Sequence, residues 1–188
     1  MHTFHEIRLH GRGGQGTVSA AALMALAAFE DGFESQAFPK FGSERRGAPV
    51  EAYVRISSSV IRSHNQVYSP DVIVVQDAGL LRSETLLGGL KQGGLIVLNG
   101  EPPSRDEEGG FRWLCLPASE IAKRHLGRPL PNTVLLGALL ASTQWLSLNA
   151  LEQAVTHHLS KKGDALVKAN IDALREGYES IMQGEVVR

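Results

Sequence analysis

The sequence predicts an α/β fold, a three-layer α/β/α domain with a mostly parallel, mixed central sheet. Three observations predict it: strand-like and helix-like segments alternate along most of the chain, a glycine-rich turn follows the first strand, and amphipathic helical segments close the chain. The 188 residues, 43% of them hydrophobic, suffice for one core. We therefore expect a single domain over 1–188, with a helical end from about 133 to 188.

Hydrophobic periodicity sets the order of the elements. Residues 50–57 alternate apolar and polar side chains, and a Ser58–Ser59 turn would return residues 60–63 antiparallel beside them. Residues 71–76 and 95–99 are nearly continuous apolar runs, typical of central strands covered on both faces. The other predicted strands are 4–10, 33–38 and 111–116, and the predicted helices are 17–29, 78–90, 120–126, 133–142, 149–159 and 164–182.

Composition excludes several function classes. A net charge of −1 gives no electrostatic reason to bind nucleic acid or an anionic membrane, and the longest apolar stretch, 134–141, is too short to cross a bilayer. One cysteine, Cys115, excludes an internal disulfide, an iron–sulfur cluster and an all-cysteine zinc site within this chain. The seven histidines lack metal-ligand spacing, so we assign no metal site. We expect a cytoplasmic chain without a signal peptide.

The glycine-rich turn is the main candidate site. It contains Gly11, Gly13, Gly14, Gln15 and Gly16, and three of its glycines satisfy the spacing G-x-G-x-x-G of a Rossmann-like turn. Bare backbone N–H groups and the positive end of the following helix dipole suit a phosphate or another anion. A tight turn that only packs the helix on the sheet, and a contact with another subunit, are the alternatives.

A dinucleotide needs an acidic residue at the end of the second strand to hold the ribose. The sequence there is Gln36-Ala37-Phe38, with no acid, which disfavours an NAD site. Arg45 and Arg46, in the exposed loop that follows, offer planar paired donors for phosphate or carboxylate. A solvated loop, or an internal pair with Glu44, is the alternative.

Three further polar residues lie where helices begin. Asp77 and Asn99 follow central strands, at the sheet edge where ligands of open α/β sheets bind, but helix capping is the favoured interpretation. Asn132 is also interpreted as an N-cap. Cys115 is expected to be a buried small hydrophobe. No nucleophile elbow, zinc-protease motif or Walker lysine is present, so no catalytic residue is assigned.

Several segments together resemble the gamma subunit of the 2-oxoacid:acceptor oxidoreductases, the pyruvate:ferredoxin oxidoreductase superfamily. The likeness covers almost the whole chain, and residues 101–110 are its least characteristic part. Its segments are G-R-G-G-Q-G at 11–16, F-P-K-F-G-S-E-R-R-G-A-P at 38–49, V-R-I-S at 54–57, D-V-I-V at 71–74 and P-N-T-V-L-L-G-A at 131–138.

The resemblance implies one subunit of an enzyme that oxidatively decarboxylates a 2-oxoacid to an acyl-CoA and CO₂. Pyruvate, branched-chain and aromatic oxoacids such as indolepyruvate and phenylglyoxylate all remain open. Thiamine diphosphate with Mg²⁺ supplies the carbanion chemistry, and [4Fe–4S] clusters pass electrons to ferredoxin, or an FAD subunit passes them to NAD. These cofactors would belong to alpha-, beta- and delta-type partners, since this chain has neither cluster cysteines nor a thiamine motif.

The resemblance leaves to this chain a role in assembly, with coenzyme A binding as a candidate second role. The hypothesis is that Gly11–Gly16 and Arg45/Arg46 touch either the coenzyme A phosphates or a neighbouring subunit. A free-standing NAD-dependent oxidoreductase and a purely structural assembly subunit are the competing interpretations.

Overall fold

The computed structural model describes residues 3–40, 47–102 and 110–184. The strands are β1 Phe4–Arg12, β2 Glu34–Pro39, β3 Pro49–Ser57, β4 Val72–Val75, β5 Leu95–Asn99 and β6 Arg112–Leu116. The helices are α1 Thr17–Glu30, α2 Ala118–Leu126, α3 Asn132–Thr143, α4 Leu148–Leu159 and α5 Asp164–Met182, with short 3₁₀ helices at Ala78–Arg82 and Ser160–Lys162. In this described part, no helix is long and apolar enough to cross a membrane.

The six strands form one sheet in the order β2-β3-β1-β4-β5-β6. β1, β4, β5 and β6 are parallel, whereas β3 runs antiparallel to both β1 and β2. The predicted mostly parallel, mixed sheet is therefore confirmed. The predicted return strand at 60–63 is wrong: both edges of β3 are already paired, so no backbone groups remain there for another strand.

All five α-helices bury their apolar residues in one core on one face of the sheet. Alanines of α1, such as Ala20 and Ala28, are fully buried and let the helix lie close to the strands. α3 and α5 touch backbone to backbone: a Cβ on Gly137 would lie 2.1 Å from the Leu174 carbonyl oxygen, and one on Gly177 would lie 2.2 Å from that of Val134. Glycine is required at this crossing.

The opposite face of the sheet carries no α-helix among the described residues. The predicted helix at 78–90 is wrong: a short 3₁₀ helix is followed by turns, and its leucines pack on β4, β5 and β6. Arg8 of β1 explains the difference, because its Nη2 donates to the carbonyl oxygens of Leu86 (2.7 Å) and Gly88 (2.8 Å). Those carbonyls accept from a long-range arginine, and Gly88 and Gly89 disfavour a helix. Turns therefore form the third layer.

Cross-strand pairs of polar residues line this face between β1 and β3. They are Glu6 with Arg55, Arg8 with Tyr53 and His10 with Glu51, and we call them the polar ladder. Arg55 is 1% exposed; it pairs with Glu6 (2.9 Å) and donates to the carbonyl oxygens of residues 63, 65 and 66. Buried arginines thus hold the covering loops on this face.

Candidate functional site

The glycine loop joins β1 to α1 at the carboxyl edge of the sheet. Gly14 and Gly16 adopt φ values of +97° and +75°, which other residues rarely tolerate. Gly16 is the N-cap of α1 and offers no side chain to its first turn, which also lacks an acidic residue. The positive end of the α1 dipole is therefore not neutralised by a residue of its own cap or first turn.

Gly11 and Gly16 leave room for side chains from other segments. A Cβ on Gly11 would lie 2.2 Å from Thr17 Oγ1 and 2.8 Å from Gln76 Oε1. A Cβ on Gly16 would lie 2.6 Å from Asn132 Nδ2. Gly11 therefore makes room for a packed polar cluster beneath the loop, and Gly16 allows the start of α3 to contact the start of α1.

Asn132 differs from its predicted role as an N-cap. Pro131 occupies the N-cap position, and Asn132 is the first residue of α3, with its amide against Gly16. α3, like α1, has no acidic residue in its first turn. Two helix N-termini therefore meet at the glycine loop, and their dipoles reinforce each other there.

Gln76, which immediately follows β4, is the residue that the sequence reasoning missed. It is 1% exposed, and its Oε1 accepts from Thr17 Oγ1 at 3.3 Å. Its Nε2 is buried and has no hydrogen-bond partner within the described residues. An unpaired buried amide costs free energy, so its presence beneath a glycine turn points to a ligand or a rearrangement that satisfies it. The sequence did contain a signal for this residue: Gln76 is a polar side chain directly after a run of buried β-branched residues.

Gln15 folds back over the loop. Its backbone N–H donates to the Arg12 carbonyl oxygen (3.0 Å), and its side-chain Oε1 accepts from the Arg12 N–H (2.7 Å). Gln15 Oε1 also lies 3.3 Å from the Cβ position of Gly11, close to Gln76. The carboxamide oxygen of Gln15 thus occupies a place that an anion oxygen can take.

Asp77 is the N-cap of the 3₁₀ helix, as predicted, whereas Asn99 contacts the first turn of α2 without being its N-cap residue, which is Pro117. Asp77 Oδ1 accepts from the Gly79 N–H (2.8 Å), while its Oδ2 pairs with Arg12 Nε (2.6 Å). Asn99 Oδ1 accepts from the Ser119 N–H at the start of α2, and its Nδ2 donates to the Gln76 carbonyl oxygen. These side chains are engaged in holding the sheet edge together.

Arg45 and Arg46 lie outside the described residues. The chain that follows them borders the glycine loop: the Gly13 N–H donates to the Ala48 carbonyl oxygen (2.9 Å), and the Gly47 N–H donates to the Gly13 carbonyl oxygen (3.2 Å). The end of the arginine loop is therefore hydrogen-bonded to the turn.

Cys115 and the adjacent histidines of α4 are the remaining candidates. Cys115 is buried, as predicted, and burial raises the pKa of its thiol to about 11. No group of three or more histidine, cysteine, aspartate or glutamate side chains in the described ranges is placed to hold a metal ion. His157 and His158 are exposed on α4.

Comparison with known proteins identifies the family. The profile described as "Pyruvate ferredoxin/flavodoxin oxidoreductase" matches residues 6–180. The chain belongs to this family. It is 47% identical to the pyruvate synthase subunit PorC of Methanothermobacter thermautotrophicus over 177 residues, which cover 94% of this chain and 95% of that one. It is 41% identical to the common gamma subunit of the pyruvate/ketoisovalerate oxidoreductases of Thermococcus litoralis, covering 96% and 99% of the two chains.

A solved structure agrees with the sequence comparison. The pyruvate oxidoreductase subunit PORC of Thermotoga maritima matches with a TM-score of 0.76 and 38% identity, over 94% of this chain and 96% of that one. The resemblance to gamma subunits and the predicted α/β class are therefore confirmed.

Proposed function

We propose that this chain is the gamma subunit of a 2-oxoacid:ferredoxin oxidoreductase and that its glycine loop holds a phosphate of coenzyme A. The reaction would convert a 2-oxoacid and coenzyme A to an acyl-CoA, CO₂ and a proton, with two electrons passing to ferredoxin. The observation that carries the anion site is Gln76, which lies beneath a glycine turn and whose buried amide nitrogen has no hydrogen-bond partner within the described residues.

The loop supplies donors without supplying a charge of its own. Its glycine backbone and the uncapped first turns of α1 and α3 favour a negative group, and Arg12 is already paired with Asp77. In the bound state, a phosphate oxygen would replace Gln15 Oε1 as the acceptor of the Arg12 N–H and would satisfy Gln76 Nε2. Arg45 and Arg46 would add charge-assisted contacts from the neighbouring loop.

The thiamine and electron-transfer chemistry would lie in partner chains. Thiamine diphosphate, Mg²⁺ and [4Fe–4S] clusters are assigned to alpha-, beta- and delta-type subunits, because this chain has no thiamine motif and only one cysteine for a cluster. The Thermococcus litoralis relative is named as a gamma subunit common to two oxoacid oxidoreductases. By analogy, the partners here would select the oxoacid, and pyruvate is the first substrate to test.

The experiment compares two glycines in the assembled complex. Gly14 and Gly32 both have positive φ and open space around a Cβ, so a Leu at either position carries the same backbone strain. Only Gly14 lies in the loop. We expect Gly14→Leu to raise the KM for coenzyme A by on the order of tenfold or more, and Gly32→Leu to leave it unchanged.

Paired arginine variants complete the test. The double variant Arg45→Ala/Arg46→Ala should also raise the KM for coenzyme A, while the KM for the oxoacid stays constant. If Gly14→Leu weakens co-purification of the partner chains and leaves coenzyme A unaffected, the loop is an assembly contact. Saturable NAD binding by the chain alone would instead support the oxidoreductase alternative.

A further inference from the structure

The outer face of α1 is apolar and uncovered within the described residues. Between Arg12 and Glu30 the chain has no charged residue, so α1 lacks the polar face of an ordinary surface helix. Val18 and Phe29 are 40% and 72% exposed, and Ala22 lies at helical spacing between them on the same face. We call these three residues the α1 stripe. A helix that is hydrophobic all round is normally buried, so we expect a protein surface to cover the stripe.

The edge of the sheet beside this helix is also open. β2 is the terminal strand, and within the described residues it pairs with β3. The Lys40 N–H donates to the Glu51 carbonyl oxygen at the end of this pair, so the even-numbered residues of β2 turn their backbone groups towards β3. The backbone groups of Ser35 and Ala37 therefore point away from the sheet. An open edge of this kind can pair with a further strand.

The open edge and the apolar helix adjoin each other. The Ser35 hydroxyl of β2 donates to the Ala25 carbonyl oxygen of α1 (2.8 Å). α1 packs on both β2 and β3, so its axis lies over the line between these two strands. A partner at this edge of the sheet would therefore meet the strand and the helix together.

The edge strand is complementary to itself in charge. Two copies of β2 can pair antiparallel about a two-fold axis that passes through Ala37 and is perpendicular to the sheet. This register places Glu34 of each copy opposite Lys40 of the other, and both residues are exposed. Opposite charges thus meet at both ends of the paired strands. In the centre, each Ala37 N–H would donate to the Ala37 carbonyl oxygen of the other copy.

The same axis brings the two α1 helices to packing distance. Paired strands are about 4.8 Å apart, and α1 lies half a spacing inside β2 while the axis lies half a spacing outside it. The two α1 axes would therefore be about 10 Å apart, as in packed helices. The rise of about 6.6 Å from Ser35 to Ala37 equals about four residues of the reversed helix, counted back from Ala25. Ala22 therefore lies next to the axis, where a small side chain lets the helices approach.

We propose that α1 and β2 form a self-complementary interface with a second copy of this chain. The interface joins the two sheets edge to edge and packs the two α1 stripes against each other, with the helix dipoles antiparallel. It does not rest on the proposed function, because its residues belong neither to the glycine loop nor to the arginine loop.

Sedimentation equilibrium of the full chain measures the association. The chain has a mass of 20.3 kDa, and we expect a concentration-dependent dimer. Ala22→Glu should weaken the dimer by on the order of a hundredfold, because two carboxylates would meet at the axis. Ala165→Glu, the same change at an exposed position of α5, should leave the dimer unchanged. A chain that stays monomeric, or equal effects of the two variants, would overturn the proposal.

A different partner on this face would give a different result. If the chain is monomeric and Ala22→Glu instead prevents co-purification of an alpha-, beta- or delta-type chain, another subunit covers the α1 stripe. The second copy is then the wrong occupant.

Ala37→Cys tests the symmetry in the assembled complex. A residue on a two-fold axis faces its own copy, and opposed Cα atoms of a hydrogen-bonded antiparallel pair are about 5.5 Å apart, within the reach of a disulfide. We expect mild oxidation to give a covalent dimer of this chain that a reductant separates. Ala165→Cys should give none, and the native Cys115 is buried. If Ala37→Cys produces no more covalent dimer than Ala165→Cys, the proposed interface is wrong.

Discussion

The two faces of the sheet are built on opposite principles, although the same strands supply both. On the helical face, Ile7 and Leu9 of β1 lie opposite Val54 and Ala52 of β3 in a dry core. On the other face, the residues between them form the polar ladder. Apolar contacts hold helices on one side, and buried arginines hold loops on the other. A pocket of about 650 Å³ lies beneath those loops, beside the polar ladder.

Arg55→Met should produce the largest effect and tests the arginine-held face. The methionine would leave Glu6 and the carbonyl oxygens of the covering loop without their buried donor. We expect a loss of about 3–5 kcal/mol in the free energy of unfolding, measured by denaturant titration. Val54→Ala, the adjacent residue on the helical face, should cost about 2 kcal/mol. A smaller loss for Arg55→Met than for Val54→Ala would contradict the comparison.

Gly137→Ala tests the helical face at its tightest point. The new methyl group would meet the backbone of α5, so the helices must separate, and we expect a loss of about 3 kcal/mol. Gly177→Ala acts on the same crossing and should cost a similar amount. The double variant should cost less than the sum, because the helices separate only once. Thermal unfolding measures all three, and strict additivity would argue against a shared contact.

Acid should weaken the polar face through His10. Its folded-state pKa of about 4 is below the unfolded value of 6.5, so the unfolded chain takes up the proton first. The contribution of neutral His10 to the free energy of unfolding is fully present above pH 6.5 and is lost as the pH falls towards 4, by about 3 kcal/mol at most. His10→Gln keeps an acceptor for Arg8 and cannot titrate.

The measurement for His10 is unfolding free energy against pH for both chains. Their difference isolates His10, because Arg8, Glu51 and Lys40, which face it, are present in each. Parallel curves between pH 6.5 and 4 would show that His10 contributes nothing.

Gln76→Met should have the smallest effect on stability and a clear effect on binding. It removes an unpaired buried N–H group at the cost of one 3.3 Å hydrogen bond, so stability should stay within about 1 kcal/mol of the parent or rise. Coenzyme A should bind on the order of tenfold more weakly. Thr133→Val is the stability control, because Thr133 Oγ1 is also buried and has no partner in the part of the chain that the structure describes. A large stability loss in Gln76→Met would mark a structural role.

Local signals predicted the elements whose ends and faces are set nearby in sequence. α5 occupies the predicted range, because Gly163 precedes it and its apolar spacing is helical. The segment 78–90 has helical leucine spacing as well, yet Arg8, some eighty residues away in sequence, takes two of its carbonyls. A single sequence does not reveal such a partner.

The candidate site divides in the same way. The glycine loop was evident because its conformation demands glycine, whereas Gln76 acquires its meaning only from its position beneath Gly11. The sequence also contains a signal for the polar ladder, because β1 carries a polar residue at every second position: Glu6, Arg8, His10 and Arg12. Alternation of that kind predicts a polar face, though not the residues that lie across from it.

The crossing of α3 and α5 at Gly137 and Gly177 has a consequence for the geometry of the glycine loop. With no side chain between the two backbones, hard contact sets the distance between the α3 and α5 axes and leaves it almost no tolerance. α3 begins with Asn132, whose amide lies against Gly16, so a displacement of α3 at the crossing would also move its contact with the start of α1. The distance between the two helix N-termini at the loop therefore depends on how closely α3 packs against α5, near the C-terminal end of the chain.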